Sequence, residues 1–399
     1  MRLSSRAKRM PPSPIRKLVP YADETKKRGV KIYHLNIGQP DIETPQSFWN
    51  AVHSYPARVL AYGNSQGLPE YREWLAKYYQ ANRIDVTPND IMVTTGGSEA
   101  ILFAMIAVTD PGDNIVVFEP FYTNYNGYAV VADIKLKPVR ALPEDGYHLP
   151  PREKIVSQID DRTKAILICS PNNPTGTVLT RDELEMIASI AKEHDLFVIA
   201  DEVYREFVYE GEHTSILHIP ELVERGIIVD SISKRFSACG ARIGAVVTKI
   251  REVMDSIIRM GQARLCPPTI EQYGAQAVLM QLEDDYFPKM AEEYKRRRDA
   301  TYEELMKIPG VFCKKPSGAF YMMVTLPVDD TDDFAKFMLT EFSRDGKTVM
   351  VAPGAGFYAT PGLGNSEVRI AYVLEEQKMR DAIRILGEGI EEYKKTIKA

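Results

Sequence analysis

The chain has 399 residues, 44% of them apolar, which suffices for ordinary buried cores in two packed domains. Its net charge of −5 argues against a nucleic-acid binder, because no strongly basic field steers the surface toward phosphates. The cysteines Cys169, Cys239, Cys266 and Cys313 form no CxxC pair and fit free thiols in a reducing compartment, and no apolar run approaches the ~20 residues needed to span a bilayer.

The chain opens with "MRLSSRAKRMPPSP", which is basic and has no apolar stretch behind it. No secretory signal is predicted, and a cytoplasmic protein is expected. The segment carrying "IYHLNIGQPD" is too short for a domain and is expected to join the C-terminal part. From about residue 46 to 285, short β-branched runs alternate with helical patterns, which predicts a mainly parallel sheet covered on both faces. The predicted strands are Ile91–Thr94, Asn114–Phe118, Ala165–Cys169, Phe197–Ala200, Gly226–Val229 and Gly244–Thr248. Between the third and fourth, Thr180 is followed three residues later by Glu183, a capping box ahead of the apolar stripe Leu184, Ile187, Ile190 and Ala191. After Pro267-Pro268 the pattern turns helical to near Lys307, and from Phe312 to the end strand and helix alternate again. The fold class expected is α/β: a large domain over 46–285, and a smaller α/β domain from 1–45 with 286–399.

Ligands of open α/β sheets bind beyond the carboxyl ends of the strands. Here those ends run into "SPNNPTG" with Asn173, into Asp201 with Tyr204 three residues on, into "SISK" ending at Lys234, and through Gly96-Gly97-Ser98 into a helix. Each has a plain structural reading as a turn, a cap or a helix start. Together they place an amine, a carboxylate, an amide, a phenol and a helix N-terminus on one edge, with Arg242 nearby. Free N–H groups at Gly97, Ser98 and Glu99 suit a phosphate, and Arg242 adds a bidentate clamp. Lys234 suits an aldehyde, Asp201 a protonated ring nitrogen, and Asn173 and Tyr204 a phenolate oxygen. Pyridoxal 5'-phosphate carries this set of groups, and Tyr122 in "EPFYTNY" offers its ring a flat partner. Competing motifs are incomplete. "GGSEA" has Ala100 where a nucleophile elbow needs glycine, "GKT" (346–348) has Glu341 where a P-loop needs its first glycine, no GxGxxG follows a strand, and no HExxH occurs.

Over nearly its whole length the sequence resembles the class I/II pyridoxal phosphate-dependent aminotransferases of fold type I. The resemblance rests on "LNIGQPDIETP", "YGNSQGLPEYRE", "VTTGGSEAI", "PFYTNY", "SPNNPTG", "ADEVYREF", "SISKRFSACGARIG", "KPSGAFY", "VAPGAGFY" and "EVRIAYV". It implies that Lys234 is the Schiff-base lysine and proton shuttle, and that Asp201 pairs with the pyridinium. Asn173 and Tyr204 would bind the ring oxygen, and Tyr122 would stack on the ring. The amides of Gly97, Ser98 and Glu99 would hold the phosphate together with Ser231, Ser233 and Arg242. Tyr62 resembles a phenol that reaches the phosphate from a neighbouring subunit, which implies a homodimer. Arg369 resembles the arginine that binds the substrate α-carboxylate, helped by Gly38 and Asn173. The implied activity moves an amino group between an L-amino acid and a 2-oxo acid by a ping-pong cycle, with no nucleic-acid or membrane partner. Other donors, a related lyase and a non-catalytic cofactor-binding regulator stand as alternatives. Arg264, among Gly261, Ala263, Leu265 and Cys266, is expected to lack an anion of its own chain and to read the distal carboxylate of aspartate or glutamate across the interface. That favours aspartate as donor, with 2-oxoglutarate as acceptor.

Overall fold

Apolar β-branched runs bounded by glycine, proline and polar turns form twelve strands in the computed structural model, which describes residues 1–398. In chain order they are β1 (Lys31–His34), β2 (Ile91–Thr95), β3 (Asn114–Glu119), β4 (Lys135–Arg140), β5 (Thr163–Cys169) and β6 (Phe197–Asp201). The remainder are β7 (Gly226–Ser231), β8 (Ile243–Val247), β9 (Tyr321–Thr325), β10 (Lys347–Met350), β11 (Ala352–Pro353) and β12 (Glu367–Ala371). Seven of them make one sheet in the order β2-β8-β7-β6-β5-β3-β4. All its pairings are parallel except the two made by β8, which runs antiparallel to both β2 and β7. The fold is the expected α/β class with a mainly parallel sheet.

The six expected strands form within two residues of their predicted ends. β4 was not predicted. It carries Lys135, Lys137, Pro138 and Arg140, and proline and cations are the residues an edge strand tolerates. The helix Arg181–Glu193 starts on the expected capping box. Glu183 N–H donates to Thr180 Oγ1 at 3.2 Å, and Thr180 N–H donates to the Glu183 carboxylate at 2.7 Å. Its apolar stripe, Leu184, Ile187, Ile190 and Ala191, is buried against the sheet core.

The two ends of the chain share a second core. β1 pairs in parallel with β10, and β9, β12 and β11 form a three-stranded antiparallel sheet. Leu18, Tyr33 and Leu35 pack there with Phe320, Val324, Phe334, Met350, Ile370 and Leu386, and the cluster also takes in Tyr204 and Phe207. Among the described residues no helix is long and apolar enough to cross a membrane.

Candidate active site

The carboxyl ends of β2, β3, β5, β6 and β7 lie on one edge of the large sheet, and the reversal of β8 brings its entrance, preceded by Arg242, to that same edge. A cavity of about 600 Å³ opens there. Gly38, Gly97, Ser98, Tyr122, Asn173 and Asp201 line it, as do Tyr204, Ser231, Ser233, Lys234, Arg242 and Arg369. Residues read from far-apart stretches are thus brought round one space.

One wall is built by close backbone approach. The helix Gly96–Val108 leaves β2, and the first N–H groups of any helix lack internal partners. Gly96 has a φ of +73°, and a Cβ there would stand 2.2 Å from Arg242 Nη2. At Gly244 a Cβ would stand 2.4 Å from the Gly96 carbonyl carbon. Two absent side chains therefore let the guanidinium and β8 close on the helix start. Arg242 Nη1 donates to Cys239 O at 3.0 Å. Ser231 Oγ lies 2.8 Å from both Ser233 Oγ and Ile243 O, and accepts from Ser233 N–H at 3.1 Å. The result is a cluster of N–H, hydroxyl and guanidinium groups around one point of the cavity wall.

Deeper in, Asp201 ends β6 at 6% exposure. Tyr125 donates its hydroxyl to Asp201 Oδ2 at 2.8 Å, and Val203 N–H donates to Oδ1 at 3.3 Å. Burial pushes the carboxyl up to about 6, against the pull of these two hydrogen bonds; the neighbouring Asp230 and Glu202 add to the rise. Among the described residues the carboxylate has no cation of its own. Tyr204 is buried, 3.0 Å from Tyr321 Oη, with Asn173 Nδ2 at 3.5 Å. Tyr122 sits half-buried with its ring edge-on to Tyr125, and Asn124 donates to its hydroxyl at 2.8 Å.

Lys234 follows β7 on the short helix Ile232–Arg235, and its Nζ donates to Gly38 O at 2.7 Å. No carboxylate holds it among the described residues. Arg369, on β12, is 3% exposed, so it is no outward strand charge. Its Nη1 donates to Asn173 Oδ1 at 3.0 Å and its Nη2 to Asn36 O at 2.6 Å, while Nε has no partner. The guanidinium lies over the rings of Tyr321 and Phe357. Burial lowers its pKa, and only tyrosines oppose that shift. Among the described residues this buried cation has no anion.

Three expected residues do not line the cavity of this chain. Tyr62 is on the surface, 81% exposed. The Glu99 carboxylate turns away from the cavity to accept from Thr95 N–H at 2.8 Å. Arg264, expected to lack an anion, has one: its Nη1 donates to Glu99 Oε2 at 2.8 Å and its Nη2 to Ser65 O at 3.0 Å. The reading that Arg264 needs a substrate carboxylate loses its premise, because Glu99 neutralises it within the chain. Arg264→Leu would leave Glu99 largely buried without its cation. The expected result is a stability loss of about 1–3 kcal/mol in urea unfolding, with kcat/KM reduced alike for every amino donor. A loss confined to dicarboxylic donors would return Arg264 to substrate reading.

Sequence reasoning missed Tyr125, Tyr321, Asn36 and Arg16. Tyr125 and Tyr321 lie inside "PFYTNY" and "KPSGAFY", so the motifs contained them, but only the fold shows that one hydroxyl reaches Asp201 and the other Tyr204. Asn36 and Arg16 line the cavity from the N-terminal segment.

Residues 30–386 match the family described as aminotransferase class I and II. The aspartate/prephenate aminotransferase of Thermus thermophilus is 35% identical over 401 residues, covering 97% of this chain and 99% of that protein. The solved structure of Thermus thermophilus aspartate aminotransferase with maleate is similar at a TM-score of 0.89 and 32% identity, covering 98% of this chain and 100% of that one. Alanine aminotransferase from Pyrococcus furiosus is similar at a TM-score of 0.88 and 33% identity, with the same coverage. With a family match over most of its length and full-length relatives that are aminotransferases, the chain belongs to the class I and II aminotransferases and is a transaminase.

Proposed function

We propose that this transaminase depends on pyridoxal 5'-phosphate and moves the amino group of an L-amino acid, aspartate favoured, to a 2-oxo acid such as 2-oxoglutarate, by a ping-pong cycle. Its family is generally pyridoxal phosphate dependent, and the residues present fit that group. A buried carboxylate without a cation, Asp201, faces the same cavity as an amine without a carboxylate, Lys234, and a cluster of N–H, hydroxyl and guanidinium donors. When bound, the cofactor supplies an aldehyde that captures amines and a ring that withdraws electrons from the substrate Cα.

The chain's own residues do the rest. The amides of Gly97, Ser98 and Glu99, with Ser231, Ser233 and Arg242, hold the phosphate. Asp201 would keep a proton on the ring nitrogen, with Tyr125 holding the carboxylate. Asn173 and Tyr204 would hold the ring oxygen, and Tyr122 would pack on the ring. Lys234 Nζ would take the proton from Cα of the amino donor and, in the second half of the cycle, deliver a proton to Cα of the amino acid formed from the oxo acid. Arg369 binds the α-carboxylate, with Asn173 and the Gly38 backbone beside it.

The observation that carries the substrate class is Arg369, a buried cation without an anion at 3% exposure, because such a charge is costly unless a ligand pairs with it. Arg369→Lys keeps the charge and loses the planar fork. It is expected to raise KM and to cut kcat/KM by about ten- to a thousandfold for every amino acid alike. A loss restricted to acidic donors would make Arg369 a side-chain reader instead.

Aspartate is supported by the Thermus thermophilus relative named for aspartate and prephenate, and by its counterpart solved with maleate, a dicarboxylate. Alanine is the second reading, favoured by the Pyrococcus furiosus neighbour. A panel of donors with 2-oxoglutarate, read as kcat/KM, decides between them, and absence of any new amino-acid and oxo-acid pair would refute the reading.

Val59, Leu60 and Tyr62 are 75%, 61% and 81% exposed, an apolar surface suited to cover by a second copy. We assign a homodimer on that ground, with Tyr62 reaching the partner's phosphate. Residues 46–285 form the large cofactor-binding domain, and 1–45 with 286–399 the smaller one. Four free cysteines accord with a cytoplasmic setting.

A further inference from the structure

Tyr321 opens β9, is 2% exposed and lines the active-site cavity, yet the proposed reaction gives it no task. β9 pairs with β12 so that Ala371 stands opposite Tyr321 and Arg369 opposite Met323. Tyr321 and Arg369 are therefore diagonal neighbours on one face of that sheet, within reach of each other. The Arg369 guanidinium lies 4.5 Å from the centre of the Tyr321 ring. At its far end the Tyr321 hydroxyl meets the Tyr204 hydroxyl at 3.0 Å, its one hydrogen-bond partner among the described residues. The phenol also rests against Gly38, where an added Cβ would stand 1.7 Å from Tyr321 Oη. The Gly38 carbonyl in turn accepts from Lys234 Nζ at 2.7 Å. One buried side chain thus touches the phenol read for the ring oxygen, the arginine read for the α-carboxylate and the backbone that holds the amine.

A phenol has a single hydrogen to give. With the Tyr204 hydrogen directed to the ring oxygen, Tyr204 accepts in the contact between the two phenols, and the Tyr321 hydrogen points at it. A hydroxyl that accepts a hydrogen bond becomes a stronger donor. The Tyr321 ring has a separate effect. An aromatic face attracts a guanidinium, most strongly where water is excluded, and Arg369 is 3% exposed between the rings of Tyr321 and Phe357. We propose that Tyr321 is a positioning residue of the transamination: its hydroxyl holds Tyr204 toward the ring oxygen, and its ring holds Arg369 toward the α-carboxylate. The proposal rests on the roles read above for Tyr204 and Arg369. A tyrosine that only filled the core would affect stability and leave the bound cofactor and the substrate carboxylate alone.

The test compares Tyr321→Phe and Tyr321→Leu with the wild-type holoenzyme. One readout is the pH midpoint at which the visible absorbance of the bound cofactor titrates. The other is the split between kcat and KM for the amino donor that the wild type uses best. Hydrogen bonds to a negative oxygen favour its charge, so a weaker Tyr204 bond leaves the proton beside that oxygen more tightly held. Tyr321→Phe is expected to raise the midpoint by about half to one pH unit and to lower kcat about three- to tenfold, with KM held within about twofold. Tyr321→Leu should show the same midpoint shift and, having lost the ring under Arg369, raise KM about ten- to thirtyfold. Asp201, Tyr122, Lys234, Arg242 and Arg369 face the same space and stay the same in both variants, so a changed midpoint reports on Tyr321. The phenylalanine variant keeps the ring that fills the core and by itself suffices to overturn the proposal. It does so if its midpoint and kcat match the wild type. A folded leucine variant whose KM rises no more than that of the phenylalanine variant also overturns it. Either result leaves the transaminase reading intact, whereas a wild-type protein that takes up no pyridoxal 5'-phosphate overturns both.

Discussion

Lys234→Ala is expected to lose at least ~10⁴-fold in kcat while keeping its fold, since it removes the amine that we propose both captures the cofactor and moves the proton. The side chain makes one good hydrogen bond, Nζ to Gly38 O at 2.7 Å, and a longer one to Cys239 Sγ at 3.8 Å. Removing it therefore costs about 1 kcal/mol of stability, well short of unfolding the chain. Two measurements separate the roles. After borohydride treatment of the loaded protein, mass spectrometry should find the reduced cofactor on the peptide containing Lys234 in the wild type and on no peptide of the variant. Steady-state assays should show the loss in kcat for all donors. Trappable cofactor with near-normal turnover in the variant would remove Lys234 from the centre of the reaction.

Asp201→Asn is expected to lower kcat by about 10²- to 10⁴-fold and, in the cofactor-free protein, to raise stability. Both effects come from one cause. Burial pushes the Asp201 carboxyl from 3.8 up to about 6. Between those two values the folded chain binds more protons at this site than the unfolded chain does. Stability from this group is therefore lost as the pH rises through about 4 to 6, and the cost is complete above that window. A neutral asparagine, still able to accept from Tyr125, avoids that cost. At pH 7 the gain is on the order of 2–3 kcal/mol, and it should vanish below about pH 4. Thermal melts of cofactor-free wild type and variant across pH 4–8 check the sign. A variant less stable at pH 7 than at pH 4, relative to wild type, would show that Asp201 has a cation the fold supplies. Stability given up for an ionised group that only a ligand completes is a common mark of active sites.

Much of this was legible in the sequence. Strand ends are readable because apolar runs stop where Asn173, Asp201 and Lys234 begin, and an α/β sheet delivers such ends to one edge. Local rules also carry Thr180 and Glu183, which sit three residues apart. What was not legible depends on partners far away in the chain. Arg264 and Glu99 are 165 residues apart, and composition around Arg264 gives no sign of the carboxylate that the helix after β2 turns toward it. Asn36 lies 333 residues from Arg369 and accepts from it across the cavity because β1 pairs with β10 and draws the N-terminal segment onto the second core. β4 was obscured for a different reason. An edge strand needs little apolar alternation, so Pro138 and its neighbouring cations read as loop.

The place of β8 in the sheet also sets an order of events during synthesis. β2 leaves the ribosome first among the seven strands, yet it sits at the sheet's end and pairs with β8 alone, the last of the seven to emerge. From Thr95 to Ile243 the chain must grow by roughly 150 residues, which takes on the order of ten seconds at typical translation speeds. Throughout that interval β2 has no strand to pair with, although the apolar helix behind it already meets β6 and β7 in the core. Gly96 cannot meet Gly244, nor Arg242 the helix start, until the last strand threads between two that already exist. The nascent chain therefore carries β2 as an unpaired strand until the end, and brings Gly96, Gly244 and Arg242 together only as the final act of building the sheet.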